Sequence, residues 1–166
     1  ESPMVGDRAI LRSGDTGISQ SYLTSNMAHD VALVVSDWSF MDLGGYDLVL
    51  ENDSGPELIV GPYSHSSNYD MTWLEFTDDY LGLGGTVTAE QIEVHGEGRG
   101  LLSFHGVTLR TDSINVEFAG RLHLHECAVV KMSSSADPVS ISVQGTLDMH
   151  FPYWSTVDGN VTFLAD

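Results

Sequence analysis

The stretch GRLHLH, residues 120–125, decides how the chain is read, because its outline recurs as GLLSFH (100–105) and GTLDMH (145–150). Each copy has a glycine, an apolar residue two positions on, another four on and a histidine five on, and the copies stand 20 and then 25 residues apart. Apolar residues at every second position belong to a strand with one buried face, so Leu122 and Leu124 share one side and His123 and His125 the other. Each copy also follows a second alternating run: QIEVHG (91–96), SINVEFAG (113–120) and PVSISVQG (138–145). The repeating unit is strand, glycine, strand. A fainter echo, Leu-Gly-Gly at 43–45 and again at 83–85, reads as two units of 20.

Two all-β architectures accommodate such a unit. In a short right-handed β-solenoid each unit makes a coil, and equivalent residues of successive coils form ladders about 4.8 Å apart. In an antiparallel β-sandwich or jelly roll, consecutive strands pair as hairpins and equivalent residues need not meet. The regular repeat favours the solenoid, while the unequal turns HGEGRG, ECAVVKMSSSADP and HFPYWSTVDG favour the sandwich. The expected organisation is a single domain over 1–166. Its repeat portion is 85–166, and a less regular portion, 1–84, caps the stack, since an open end exposes strand edges. Within that cap Leu23, Met27, Val31 and Val34 follow helical spacing behind Thr24, Ser25 and Asn26, which suggests a short helix at 22–30. DVALVVSD (30–37) reads equally as a strand.

Composition narrows the function. The 166 residues carry 24 acidic against 6 basic side chains, a formal charge of −18, and Lys131 is the single lysine. Such a field repels phosphate backbones and anionic lipid, so neither nucleic acid nor membrane insertion is expected. It also suits high salt, where screening shortens self-repulsion to a few ångströms at about 1 M. The longest apolar run, VALVV, is far short of the roughly 20 residues that cross a bilayer. The opening ESPMVGD has no apolar signal-peptide core, and fits either a processed start or an added stretch ahead of Met4. Cys127, the only cysteine, has no partner within the chain and follows Glu126, which dulls a thiol.

In the solenoid, His105, His125 and His150 form one outward ladder, with Ser103, His123 and Asp148 beside it. His105, His123, His125, Asp148 and His150 are then candidate ligands for a divalent metal such as Zn, Cu or Ni, although no cofactor is required. A plain histidine-bearing surface is the simpler alternative. Glu93 and Glu117, near His95 and Asn115, are a conceivable carboxylate pair for glycoside cleavage. The glycine-rich GLGG and GEGRG lack the lysine and helix of a phosphate loop, and the acidic ENDSGPE and FTDDY do not match a calcium loop. Asn52 and Asn160 head glycosylation sequons.

Tyr63, Tyr69, Trp73, Tyr153 and Trp154 lie in aromatic-rich loops that suit sugar stacking or a protein interface, or that plug an irregular core. With no catalytic constellation, the expected function is a non-enzymatic structural or interaction protein of an extracellular or virion surface. Its partners would be copies of itself, as homo-oligomer or filament, or another surface or capsid protein, with a glycan as a further possibility. The alternatives are a carbohydrate-binding or carbohydrate-cleaving β-solenoid and a His-rich metal-binding β protein. In general pattern the repeats resemble those of phage tailspikes, capsid decoration proteins and surface fibres, a likeness of architecture that assigns no residue a role.

Overall fold

The computed structural model describes residues 8–11, 19–62, 71–78, 84–132, 138–150, 156–157 and 159–163. Three strands make each coil. The first coil holds β1 (Arg8–Leu11), β2 (Ser19–Tyr22) and β3 (Met27–His29), and the second β4 (Ala32–Val35), β5 (Trp38–Asp42) and β6 (Asp47–Leu50). The third holds β7 (Leu58–Val60), β8 (Trp73–Thr77) and β9 (Thr86–Thr88), and the fourth β10 (Gln91–Val94), β11 (Leu101–His105) and β12 (Thr108–Thr111). The fifth holds β13 (Ser113–Val116), β14 (Arg121–His125) and β15 (Ala128–Lys131), and the sixth β16 (Val139–Val143), β17 (Thr146–His150) and β18 (Thr156–Val157), after which β19 (Gly159–Phe163) opens another turn. First, second and third strands stack into separate sheets of seven, six and six strands, each strand parallel to its counterparts in the coils before and after.

This is the β-solenoid-like stack, and the hairpins of a sandwich do not occur among the described strands. Every coil sends alternate residues inward, where like meets like. Leu58, Ile92, Ile114 and Ile141 form one column, Val60, Val94, Val116 and Val143 another, and Met41, Phe76, Phe104, Leu124 and Met149 a third. Most of these side chains are fully buried, each worth about 1.5–3 kcal/mol against exposure. The glycines of the repeat mark the corner between the first and second sheets, where Arg121 N donates to Gly100 O (2.8 Å) and Thr146 N to Gly120 O (2.9 Å). A side chain there would enter the backbone of the neighbouring coil.

One expectation for the early chain is corrected. Residues 22–30 form no helix: they are the end of β2, a bend and β3, and β3 pairs with β6 along one edge. The alternative reading of DVALVVSD as a strand holds, as β4. The described residues before 85 also form coils, since β1 to β8 continue the three sheets in register. The unit likewise gains a third strand, and the Leu-Gly-Gly echo spans neighbouring coils, with Leu48 opposite Val87, rather than two units of 20.

Glu57 is one of two acidic residues buried among the described residues, with Asp78. It is 5% exposed, and its Oε2 accepts a hydrogen bond from Gln91 N at 2.6 Å. Burial pushes its carboxyl above the usual range; the Gln91 amide opposes this, and nearby Glu90 adds to it. The folded chain therefore holds this proton to higher pH than the unfolded chain. The stability this contributes is complete below the ordinary value of 4.5 and is lost as pH rises through the folded value. Glu57→Gln keeps an acceptor for Gln91 and removes the titration. Urea unfolding across about pH 4 to 8 should show the variant gaining on the wild type as pH rises, and parallel curves would contradict this.

Candidate functional site

The outward residues of the second sheet also stack in columns. One runs Trp38, Trp73, Leu101, Arg121, Thr146; the next Phe40, Glu75, Ser103, His123, Asp148; the third Asp42, Thr77, His105, His125, His150. The ladder expected of the histidines is therefore present in register. Parallel pairing puts His123 opposite Asp148 and His125 between His105 and His150. The His123 and His125 rings lie 5.9 Å apart at 30°, and His105 meets His125 edge-on, also at 5.9 Å. One donor atom each from His123, His125 and Asp148 lies within 4.8 Å of the others.

The environment is graded from buried to wet. His123 and His125 are half-buried and Asp148 is exposed. Loss of water holds the His123 imidazole below its usual range; Asp148 opposes that shift, and His125 and Arg121 reinforce it. Ser103, in the same column, is 6% exposed and thus no open ligand.

The opposite end of this face is aromatic. Trp38 and Trp73 meet edge-on at 5.4 Å, Phe40 packs against Trp73 at 5.3 Å, and Trp38 Nε1 donates to Met71 O at 3.0 Å. Trp73 is half-buried on the surface of the sheet and does not plug the core. Its Nε1 is buried and has no acceptor among the described residues. Sequence reasoning missed Trp38 and Phe40, although WSFMD and WLEFT both begin strands with tryptophan and pair residue for residue. Tyr63, Tyr69, Tyr153 and Trp154 lie outside the described residues.

Glu93 and Glu117 do not face each other across a groove. His95 sits between them, its Nε2 3.0 Å from Glu93 Oε2 and its Nδ1 3.2 Å from Glu117 Oε2, and Gly96 N also donates to Glu117 Oε2 at 3.1 Å. The two carboxylates are thus joined through one imidazole on the outer face of the first sheet. The acidic loop 51–57 is similarly tied to itself: Asn52 Nδ2 donates to Pro56 O, Ser54 donates to Asn52 Oδ1, and Glu57 turns inward. Asp78 is buried and accepts from Gly85 N at 2.8 Å. Cys127 faces the core at 1% exposure. No helix among the described residues is long and apolar enough to cross a membrane.

What the fold does place together is thus a histidine–aspartate group at one end of a sheet face and an aromatic trio at the other. Comparison with protein-family models, with curated proteins and with solved structures finds no match to this chain in any of the three.

Proposed function

We propose that the chain is a structural interaction module, a stack of coils that associates with a second copy of itself at an extracellular or virion surface. The observation that carries this reading is the apolar end of the stack. Among the described residues β2 and β3 are the terminal strands of their sheets, so one edge of each pairs with no described strand. At the inward position where later coils hold Met41, Phe76 or Phe104, β2 has Ser21. The small side chain leaves a cavity of about 240 Å³ lined by Leu23, Met27, Val31, Leu33, Met41, Leu48 and Leu50. At its mouth Tyr22 is 68% exposed and Met27 39%.

A second copy supplies what this end lacks, a strand edge of matching spacing and an apolar surface, and a contact of the end with itself is self-complementary. Charge opposes the pairing, since each copy carries −18. Association should therefore strengthen with salt.

Light scattering across about 0.1 to 2 M salt tests the proposal. The expected result is a mass above that of one chain, growing with salt, indifferent to a chelator and returned to monomer by Met27→Asp. A monomer at every salt concentration would overturn it. A carbohydrate contact is the second reading, favoured by Trp38, Phe40 and Trp73 beside Glu75, since aromatic rings with polar neighbours suit sugar faces. Glycan-array binding that Phe40→Ala removes would move the role to that face.

A further inference from the structure

We infer that His123, His125 and Asp148 form a binding site for a divalent transition-metal ion of the zinc type. The argument starts from the strand. His123 and His125 alternate on β14 and so share its outer face, and parallel register brings Asp148 of β17 directly beside His123. Two imidazoles and a carboxylate, from positions 25 residues apart, are thereby gathered with their donor atoms within 4.8 Å of one another. A tetrahedral ion with bonds of 2.0–2.2 Å holds its ligands about 3.4 Å apart. The donors close that gap by turning side chains, with both backbones fixed by strand pairing.

The donor set selects the ion. Imidazole nitrogen with one carboxylate suits Zn, Co, Ni or Cu, while Ca and Mg take oxygen ligands. His105 packs edge-on against His125 from the preceding coil. Arg121 is close enough to act on His123 and opposes a cation, whereas the charge of −18 over the chain draws one in. Three protein donors leave a fourth position open to water or to a small anion.

The site is separate from the apolar end, and its test leaves that proposal untouched. The purified chain is stripped with a chelator and titrated with Co(II), whose tetrahedral complexes absorb strongly in the visible; Zn(II) then competes for the same position. The expected result is one Co(II) per chain, displaced by Zn(II). Asp148→Asn and His125→Ala each weaken binding by about 100-fold or more, since even groups that only orient ligands cost 10–100-fold. His95→Ala, whose ring is engaged by Glu93 and Glu117, leaves binding unchanged. Asp148 is exposed and asparagine nearly matches its shape, so this variant retains the fold, which far-ultraviolet circular dichroism checks. Absence of the visible band, or equal binding by the wild type, Asp148→Asn and His125→Ala, would overturn the site.

Discussion

Gly145→Ala is expected to destabilise the folded chain by about 3 kcal/mol or more, at the upper end of what overpacking costs. A β-carbon at this corner would lie 2.0 Å from Gly120 O, 2.6 Å from Glu117 O and 2.9 Å from Gly120 C. All three are backbone atoms of the preceding coil, so no side chain can swing aside. Moving the corner away would break the hydrogen bond from Thr146 N to Gly120 O. The same physics, with more room, applies one coil earlier: a β-carbon at Gly120 meets Val94 O at 2.9 Å and Glu117 O at 3.0 Å, so Gly120→Ala should cost less than Gly145→Ala. Gly106 is the control. Nothing lies within 4 Å of its would-be β-carbon, and its φ of +70° alone penalises alanine, by about 1–2 kcal/mol. Urea midpoints for the three variants should rank Gly145 as the most damaged; equal costs would mean that the coils do not approach as closely as described.

Phe104→Ala should cost about 3–5 kcal/mol, the range for emptying an aromatic side chain from a core. Phe104 is fully buried and stacks on Phe76 at 5.4 Å and 13°, with Leu124 following it in the same column. Strand β11 is hydrogen-bonded on both edges, to β8 and to β14, and so cannot sink into the space left behind. Met41, in the same column beside the end cavity and 8% exposed, makes the contrast: its surroundings already contain space, and Met41→Ala should fall near 2 kcal/mol, the low end for its type. A loss below about 2 kcal/mol at Phe104 would indicate a core that relaxes, unlike one clamped by parallel strands.

Much of this was legible in the sequence, for physical reasons that also explain the failures. The second strands of the later coils are five residues long and alternate cleanly, so GLLSFH, GRLHLH and GTLDMH announced both the stack and the histidine column. The third strands did not announce themselves. TVT, TLRT and AVVK are three or four residues long and send one clear apolar residue inward, at Val87, Leu109 and Val129, which is too little for a period to register. The early coils were hidden by their connections. Equivalent first-strand positions fall at Leu33, Leu58, Ile92, Ile114, Ile141 and Val161, so no fixed period links them, because the corners absorb the extra residues.

The helix expected at 22–30 arose from a coincidence of corners. Leu23, Met27 and Val31 all line the apolar end, Leu23 and Val31 from either side of the strand that carries Met27. Trp38 and Phe40 are hard to read because 35 residues separate Trp38 from Trp73, beyond the 20 and 25 of the clear repeats. The tryptophan shared by the two strands was the available signal.

Parallel register carries both the histidine–aspartate group and the open apolar end, and a paired-cysteine experiment reads it directly. Asn115 and Ser142 are outward partners on β13 and β16, separated by 27 residues of chain. Cys127 is buried in the core, which keeps it out of the exchange. Under mild oxidation the Asn115→Cys, Ser142→Cys variant should close an intramolecular disulfide with unchanged circular dichroism. Its stability should rise by about 3 kcal/mol, as expected for a loop of this length. A variant shifted by two residues, Asn115→Cys with Gln144→Cys, should stay reduced. Closure of the shifted pair instead of the first would contradict the stacked register.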